Sequence, residues 1–502
     1  LTSQQVRGAP VNRSEGVDKG LLSGALGFVS SIVIGVASTA PAYSLAATLG
    51  AITAVAGVGI HAPILMVIAF LPMLCIALGY KYLNQAEPDC GTTFTWCARA
   101  FGPITGWLSG WGLIFAGVLV MASLAQIAGS YTFLLFGADH LATSTLWVGV
   151  AGVIWIIAMG LICYVGIRVS ATTQWALLVA EIVILVVFSV VALWKVYTGR
   201  IHGSVRPSWE WMNPLGIHSF GALSSGLLLA VFIYWGWDTA VAVNEETSDA
   251  TRTPGRAAVI STVLLLGIYV VVTIAAQAFH GVDFLSQHPS DVLGALATDV
   301  LGSFWGKLLV IAVLTSAAAS TLTTILPTAR GSLAMAVHGA LPKSFGKVHH
   351  RYLTPTVSTV WMTAISVGVF VLFNSVSSNV LADSVTATGF GIAFYYGMTG
   401  LACTWFFRRE LTTSLRHFVY VGVLPLAGAL MMFAILADSL YQAWDPANSA
   451  TGTSWLGVSP PVAMTILGMA IGVVIMIGQR IAAPTPFFAW RTETADPRIL
   501  EP

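Results

Sequence analysis

Apolar residues run along this chain in blocks too long for the helices of a soluble domain. A bilayer core needs about twenty apolar residues per helix, and about twelve stretches meet that need. They are residues 21–49, 62–83, 98–136, 145–165, 172–196, 219–245, 256–280, 305–337, 355–374, 380–407, 416–441 and 459–482. The blocks are continuous rather than alternating, which predicts helices and excludes the period-two strands of an outer-membrane barrel. The fold class expected is therefore an all-α membrane protein.

Two blocks are interrupted at comparable places. IGVASTAPAYSL (34–45) sets Gly35, Ser38, Thr39 and Pro41 near the middle of the first, and YWGWD (234–238) sets Gly236 and Asp238 in the sixth. A broken helix in lipid frees N–H and C=O groups that cost several kcal/mol each unless protein or a polar cavity receives them. Pro41 removes a donor, while Gly236 costs about 1 kcal/mol relative to Ala in a helix and permits close backbone approach. Packing kinks are the plainer alternative, since Gly and Pro are common in membrane helices. Breaks five helices apart match instead an inverted repeat, helices 1–5 against 6–10, followed by two additional C-terminal helices. The expected division is a tail at 1–20, a core of helices 1–10 at 21–408, helices 11 and 12 at 409–482, and a second tail at 483–502.

Composition agrees with this picture. The chain has 502 residues, 56% hydrophobic and 9% charged, whereas an ordinary soluble chain is about 25% charged. A net charge of +1 provides no concentrated basic surface, which excludes a nucleic-acid partner. Of the 22 Lys and Arg, only Lys195, Arg200, Arg206 and Lys307 fall on the far side when loops are assigned alternately. That asymmetry predicts a multi-pass plasma-membrane protein with both termini cytoplasmic. The longest loops, 197–218 and 281–304, lie outside and leave no room for a soluble domain. The first block is too long for the core of a signal peptide and reads as a retained helix. Cys75, Cys90, Cys97, Cys163 and Cys403 lack the spacing of a zinc site or disulfide framework and read as small buried residues.

VASTAPAYSLAATLG (36–50), EPDCGTTFTWCARAFGPITGWLSGW (87–111), FIYWGWDTAVAVNEETSDATRTPGRAAVIS (232–261) and TILPTARGSLAMAVHGALPKSFGKVHHRYLTPTVS (324–358) carry a family pattern. These four stretches resemble the amino acid, polyamine and organocation transporters, most closely the amino-acid permease branch. Two departures stand out. Ser38-Thr39-Ala40-Pro41 replaces the family's Gly-Ser/Thr-Gly, and Cys90-Gly91 replaces a Gly-Gly pair. The resemblance implies a secondary transporter of amino acids or related amines, alternating access around a midplane site and expected as a proton-coupled symporter, with exchange or sodium-coupled symport as the alternatives.

Opened breaks would offer amides at Val36, Ala37, Ser38, Thr39 and Ala40 to a carboxylate. Carbonyls around Ile233, Tyr234, Trp235 and Gly236 would accept an ammonium group. Tyr234, Trp235 and Trp237 are candidate walls or a gate, against the commoner role of aromatics as packing. Glu181 lies about nine residues into helix 5, roughly 13 Å deep at 1.5 Å per residue, where a charged carboxylate costs on the order of 3 kcal/mol. The resemblance implies that a titratable group there stands in for the sodium ion of sodium-coupled relatives, so Glu181 is the candidate proton carrier. A sodium site using Ser320 or Thr321 is the rival, and simple pairing with a neighbouring helix is the third reading. Asp238 is expected to satisfy broken backbone. Glu245, Glu246 and Arg330 are candidate partners in an inner gate, or merely solvated ends. The expected partners are a small-molecule substrate, protons or sodium, and membrane lipid; no cofactor or metal is expected. A membrane-embedded enzyme or a sensor is the different-class alternative, and the enzyme lacks a catalytic grouping within the apolar blocks.

Overall fold

In the computed structural model, residues 18–199, 201, 203–289, 291–482 and 485–489 are described. Most of the two expected tails, with Arg7, Arg13, Arg491 and Arg498, lies outside the described residues, as does Arg200. The described chain is helical, and its only strand-like features are isolated bridges.

The first apolar block forms α1 (Phe28–Ser38) and α2 (Pro41–Ala54). There follow α3 (Ala62–Ala86), α4 (Thr93–Phe101), α5 (Pro103–Leu135), the single turn α6 (Asp139–Ala142), α7 (Thr145–Val165) and α8 (Ile167–Tyr197). The sixth block forms α9 (Phe220–Tyr234) and the turn α10 (Thr239–Ala242). The remainder comprises α11 (Thr253–Ser286), α12 (Val292–Val337), α13 (Thr356–Val376), α14 (Ser378–Phe406), the turn α15 (Leu415–His417), α16 (Leu424–Ala443) and α17 (Pro460–Ala482). Among the described residues, ten helical stretches are long and apolar enough to cross a bilayer. The other two expected spans are also helical: the shorter α9, and α14, whose first half carries Asp383, Ser384, Thr386 and Thr388.

Glycine turns alter the expected boundaries. The sequence predicts one span over 98–136, but Gly102 takes φ 97° and separates α4 from α5. Its neighbour Pro103 disfavours helix in the residue before it and suits the first helical position. The stretch 281–304, expected as a loop, is largely helical, with Gly281 (φ 74°) and Gly302 (φ 84°) turning the chain at either end. Leu285 is buried at the end of α11, and Val292, Leu293, Leu296 and Val300 are buried on α12, where their spacing puts them on one helical face.

Burial separates the helices that line a centre from those that meet lipid. α5 and α12 are mostly buried, whereas α7, α13 and α17 expose most of their apolar surface. On α8 the division runs along the helix. Val179, Val183, Val186 and Val190 face outward, while Gln174, Leu178, Glu181, Leu185 and Phe188 face the interior. All five cysteines are buried and unpaired.

Candidate functional site

The two broken helices meet each other. α1 closes with Thr39 and Ala40 N–H groups donating to Val36 and Ala37 carbonyls, each at 3.2 Å. Ala40 then takes a left-handed φ of 47°, which costs a residue with a Cβ roughly 1–2 kcal/mol. Pro41 begins α2 at a position where its missing N–H costs nothing.

The amides left open at that start belong to Ala42 and Tyr43. Ala42 N–H donates to Glu181 Oε1 at 2.7 Å, Tyr43 N–H to Ser316 Oγ at 3.1 Å, and Ser316 Oγ to the same Glu181 oxygen at 2.8 Å. This corrects the expectation for Val36, Ala37, Ser38, Thr39 and Ala40, whose amides are used within α1 and its closing turn. Pro41 moves the helix start, so the open donors fall later.

Ser38 contributes through its other atoms. Its Oγ lies 2.7 Å from Thr239 Oγ1, and its carbonyl accepts from Ser320 Oγ at 3.2 Å. Thr321 Oγ1 instead donates to Ala317 O on its own helix at 2.8 Å. Thr39 Oγ1 donates to Val36 O on its own helix and lies beside the Tyr269 hydroxyl of α11.

In the sixth block Trp235 is extended and Gly236 takes φ 123°. A Cβ at Gly236 would lie 2.5 Å from the Ser38 carbonyl oxygen, so glycine is what lets the two breaks touch. Gly236→Ala is expected to separate them and to lower substrate affinity at least tenfold. Binding unchanged within twofold, measured by thermal shift or competition, would place the substrate elsewhere.

The remaining candidates divide. Ile233 O is already occupied by Tyr269 OH at 2.7 Å. Tyr234 OH reaches Met66 O on α3 at 3.1 Å, away from the break. Trp237 stacks on Tyr396 at 5.1 Å and meets the edge of Tyr80 at the same distance. The Asp238 side chain makes no N-cap bond to α10 but accepts from its own backbone N–H. Its carboxylate accepts from Tyr395 OH at 3.0 Å and Tyr396 OH at 2.9 Å, tying the break to α14. Trp235 completes the tie by donating its indole N–H to Tyr395 OH.

A cavity of about 10 Å³ lies at this junction, lined by Ser38, Leu113, Trp235, Gly236, Asp238, Thr239, Thr324, Pro327, Thr328 and Tyr395. That is room for about one water. The conformation is closed around the breaks, and a larger guest requires the walls to part.

At the end of the bundle carrying Lys19 and Arg330, buried ion pairs join distant segments. Arg330 makes a two-pronged contact with Glu246, Nη2 to Oε1 at 2.9 Å and Nε to Oε2 at 2.5 Å. Leu26 N–H donates to the Glu246 carbonyl at 3.0 Å. Glu245 does not join that pair. It accepts from Lys19 Nζ at 2.5 Å and Cys90 N–H at 2.9 Å. Lys19 Nζ also reaches Asp89 at 2.8 Å, and His338 Nε2 lies 3.1 Å from the same Asp89 oxygen. Burial alone would lift the Asp89 carboxyl, but Lys19 and His338 hold it well below the usual carboxylate range. The reading of these groups as merely solvated ends is therefore corrected. Asp89, Cys90 and Glu245 converge closely enough for a metal ion, yet Lys19 already binds both carboxylates.

Lys19, Asp89, Ser316, His338, Tyr395 and Tyr396 escaped sequence reasoning. The Tyr395-Tyr396 doublet inside an apolar block was the available signal for two of them. The others are ordinary residues until packing assembles them.

A family model described as "Amino acid permease" matches residues 24–478. The branched-chain amino acid permease BcaP of Lactococcus lactis subsp. cremoris is 23% identical, over 71% of this chain and 78% of its own length. The arginine/ornithine antiporter ArcD2 of the same organism is 22% identical, over 81% and 87%. The low-affinity putrescine importer PlaP of Escherichia coli K12 is 24% identical, over 75% and 80%.

Proposed function

The chain belongs to the amino acid permease family and is a multi-pass membrane transporter rather than an enzyme, and from that premise we propose that it imports an amino acid or related amine with protons. The substrate binds where the breaks of α1–α2 and α9–α10 meet, and alternating access opens that place to each side in turn. The relatives named for branched-chain amino acids, arginine with ornithine, and putrescine support an α-amino acid or amine.

The observation that carries proton coupling is the Glu181 carboxylate held by Ala42 N–H and Ser316 Oγ. It joins α8 to the restart of the first span and to α12, so a change in its charge alters contacts on both. Protonation weakens its hold on the amide, and loss of the proton restores it. The two groups that hold Glu181 are neutral, the Ala42 amide and the Ser316 hydroxyl.

The same proposal includes both termini in the cytoplasm of a plasma-membrane protein, following the Lys and Arg asymmetry. Helices 1–5 and 6–10 form the inverted repeat within 21–408, with 409–482 as an addition. Arg330–Glu246 and Lys19–Asp89–Glu245 then close the cytoplasmic end.

Liposomes containing the purified protein and loaded at higher pH test the coupling with labelled leucine, arginine and putrescine. Accumulation is expected with an inward proton gradient and no sodium. Accumulation on sodium alone, lost in Ser320→Ala, would replace the proton by the rival sodium site at Ser320. Exchange without net accumulation would make the protein an antiporter.

A further inference from the structure

Glu181 shares the interior face of α8 with a second polar residue that neither the fold nor the substrate site uses. Gln174 lies seven residues before it, two helical turns less about 20°, and therefore almost directly beneath it at roughly 10 Å. The Gln174 side chain is fully buried, and neither its Nε2 nor its Oε1 has a protein partner. Glu181 Oε2 is likewise buried and unpartnered, while Oε1 holds Ala42 and Ser316. Buried amides without partners are rare, because each one forfeits its hydrogen bonds with water. Here three such atoms fall on one face of one helix.

That face continues as polar. Ser170, one turn before Gln174, is buried, with Ser170 Oγ donating to Gly166 O at 3.2 Å and lying beside the Cys163 thiol. Leu178 is the apolar residue between Gln174 and Glu181. α1, α11 and α12 pack over α8. The ionisable side chain facing Glu181 from α11 is Tyr269, whose hydroxyl is already donated to Ile233 O. Cys163 Sγ contacts Leu322 O near the start of α8, so α12 descends past the same stretch from Ser316.

We infer that Gln174 holds a short file of water joining Glu181 to the Ser170 end of α8, and that the coupling proton leaves by this route. From Glu181 to Ser170 is roughly 16 Å along the helix, or about five to six hydrogen-bond lengths, with Gln174 near the middle. When Glu181 releases its proton, the O–H bond at Oε2 breaks and the proton bonds to the first water. Each water passes one on, and the last gives one to the cytoplasm. The carboxylate left behind keeps Ala42 N–H and Ser316 O–H, and takes its next proton from the outside. Gln174 is a positioning residue here: it neither gains nor loses a proton. The inference rests on the proton-coupled reading of Glu181 above.

The test compares Gln174→Leu, Gln174→Ser and unaltered protein in liposomes, using whichever of leucine, arginine or putrescine the unaltered protein accumulates. Gln174→Leu is expected to slow proton-driven accumulation at least tenfold, to leave counterflow exchange within twofold, and to unfold at no lower temperature. Gln174→Ser, smaller and still polar, is expected to recover at least half of the driven rate. A driven rate within twofold in Gln174→Leu overturns the inference, as does equal loss of counterflow, the mark of a packing residue. Sodium-driven accumulation by unaltered protein removes the coupling reading itself, and this inference falls with it. That result is read without any variant, so the two failures are told apart.

Discussion

Glu181→Gln protein is expected to exchange substrate across a liposome membrane but not to concentrate it. At zero membrane potential a one-unit pH gradient is worth about 1.4 kcal/mol per proton, or roughly tenfold accumulation at one proton per substrate. Unaltered protein approaches that ratio, and the variant stays near one. The amide oxygen of glutamine still accepts from Ala42 N–H and Ser316 Oγ, which Glu181 Oε1 holds at 2.7 and 2.8 Å. Binding and counterflow should therefore survive. What disappears is the charged state, and with it the alternation in how firmly α8 holds the restart of the first span. Accumulation in the variant equal to that of unaltered protein would remove Glu181 from the coupling mechanism.

Arg330→Met is expected to produce the largest loss of stability. Arg330 is 2% exposed and Glu246 0%, so removing the guanidinium leaves a buried carboxylate alone, at a cost of about 3–5 kcal/mol. Adding Glu246→Gln to the same protein should recover much of the loss, since the uncompensated charge is then gone. Cys90 reports whether the ion pairs also close this end of the bundle. Its Sγ lies 3.6 Å from Arg330 O and is buried. In protein with the other four cysteines changed to alanine, a maleimide should label Cys90 faster after Arg330→Met. Unchanged melting temperature and unchanged labelling would show that the pair neither stabilises the fold nor closes this end of the bundle.

Local rules account for what was legible along the chain. Lipid cannot satisfy a free backbone group, so continuous apolar blocks could only be helices, and interruptions such as Ser38–Pro41 and Trp235–Gly236 had to be met by protein. A carboxylate nine residues inside an apolar block stood out for the same reason. Gly281 and Gly302 were less legible, because a glycine turn joining two helices and one in a loop look alike until burial is known. The amides expected at 36–40 failed on one covalent detail: Pro41 begins a new helix, so the unbonded donors belong to the residues after it.

Partnership was decided only in three dimensions. Ala42 and Glu181 are 139 positions apart, Ser38 and Thr239 201, and Lys19 and Glu245 226, and no periodicity along a chain specifies which buried faces will meet. The sequence by itself determined a helical membrane protein with two interrupted spans and a costly acid in the fifth, because those follow from transferring each residue into lipid; transport entered through resemblance to a family. Packing alone decided that the acid meets Ala42 and Ser316, that Asp238 meets two tyrosines, and that Lys19 joins Asp89 to Glu245, because hydrogen bonds reach only about 3 Å.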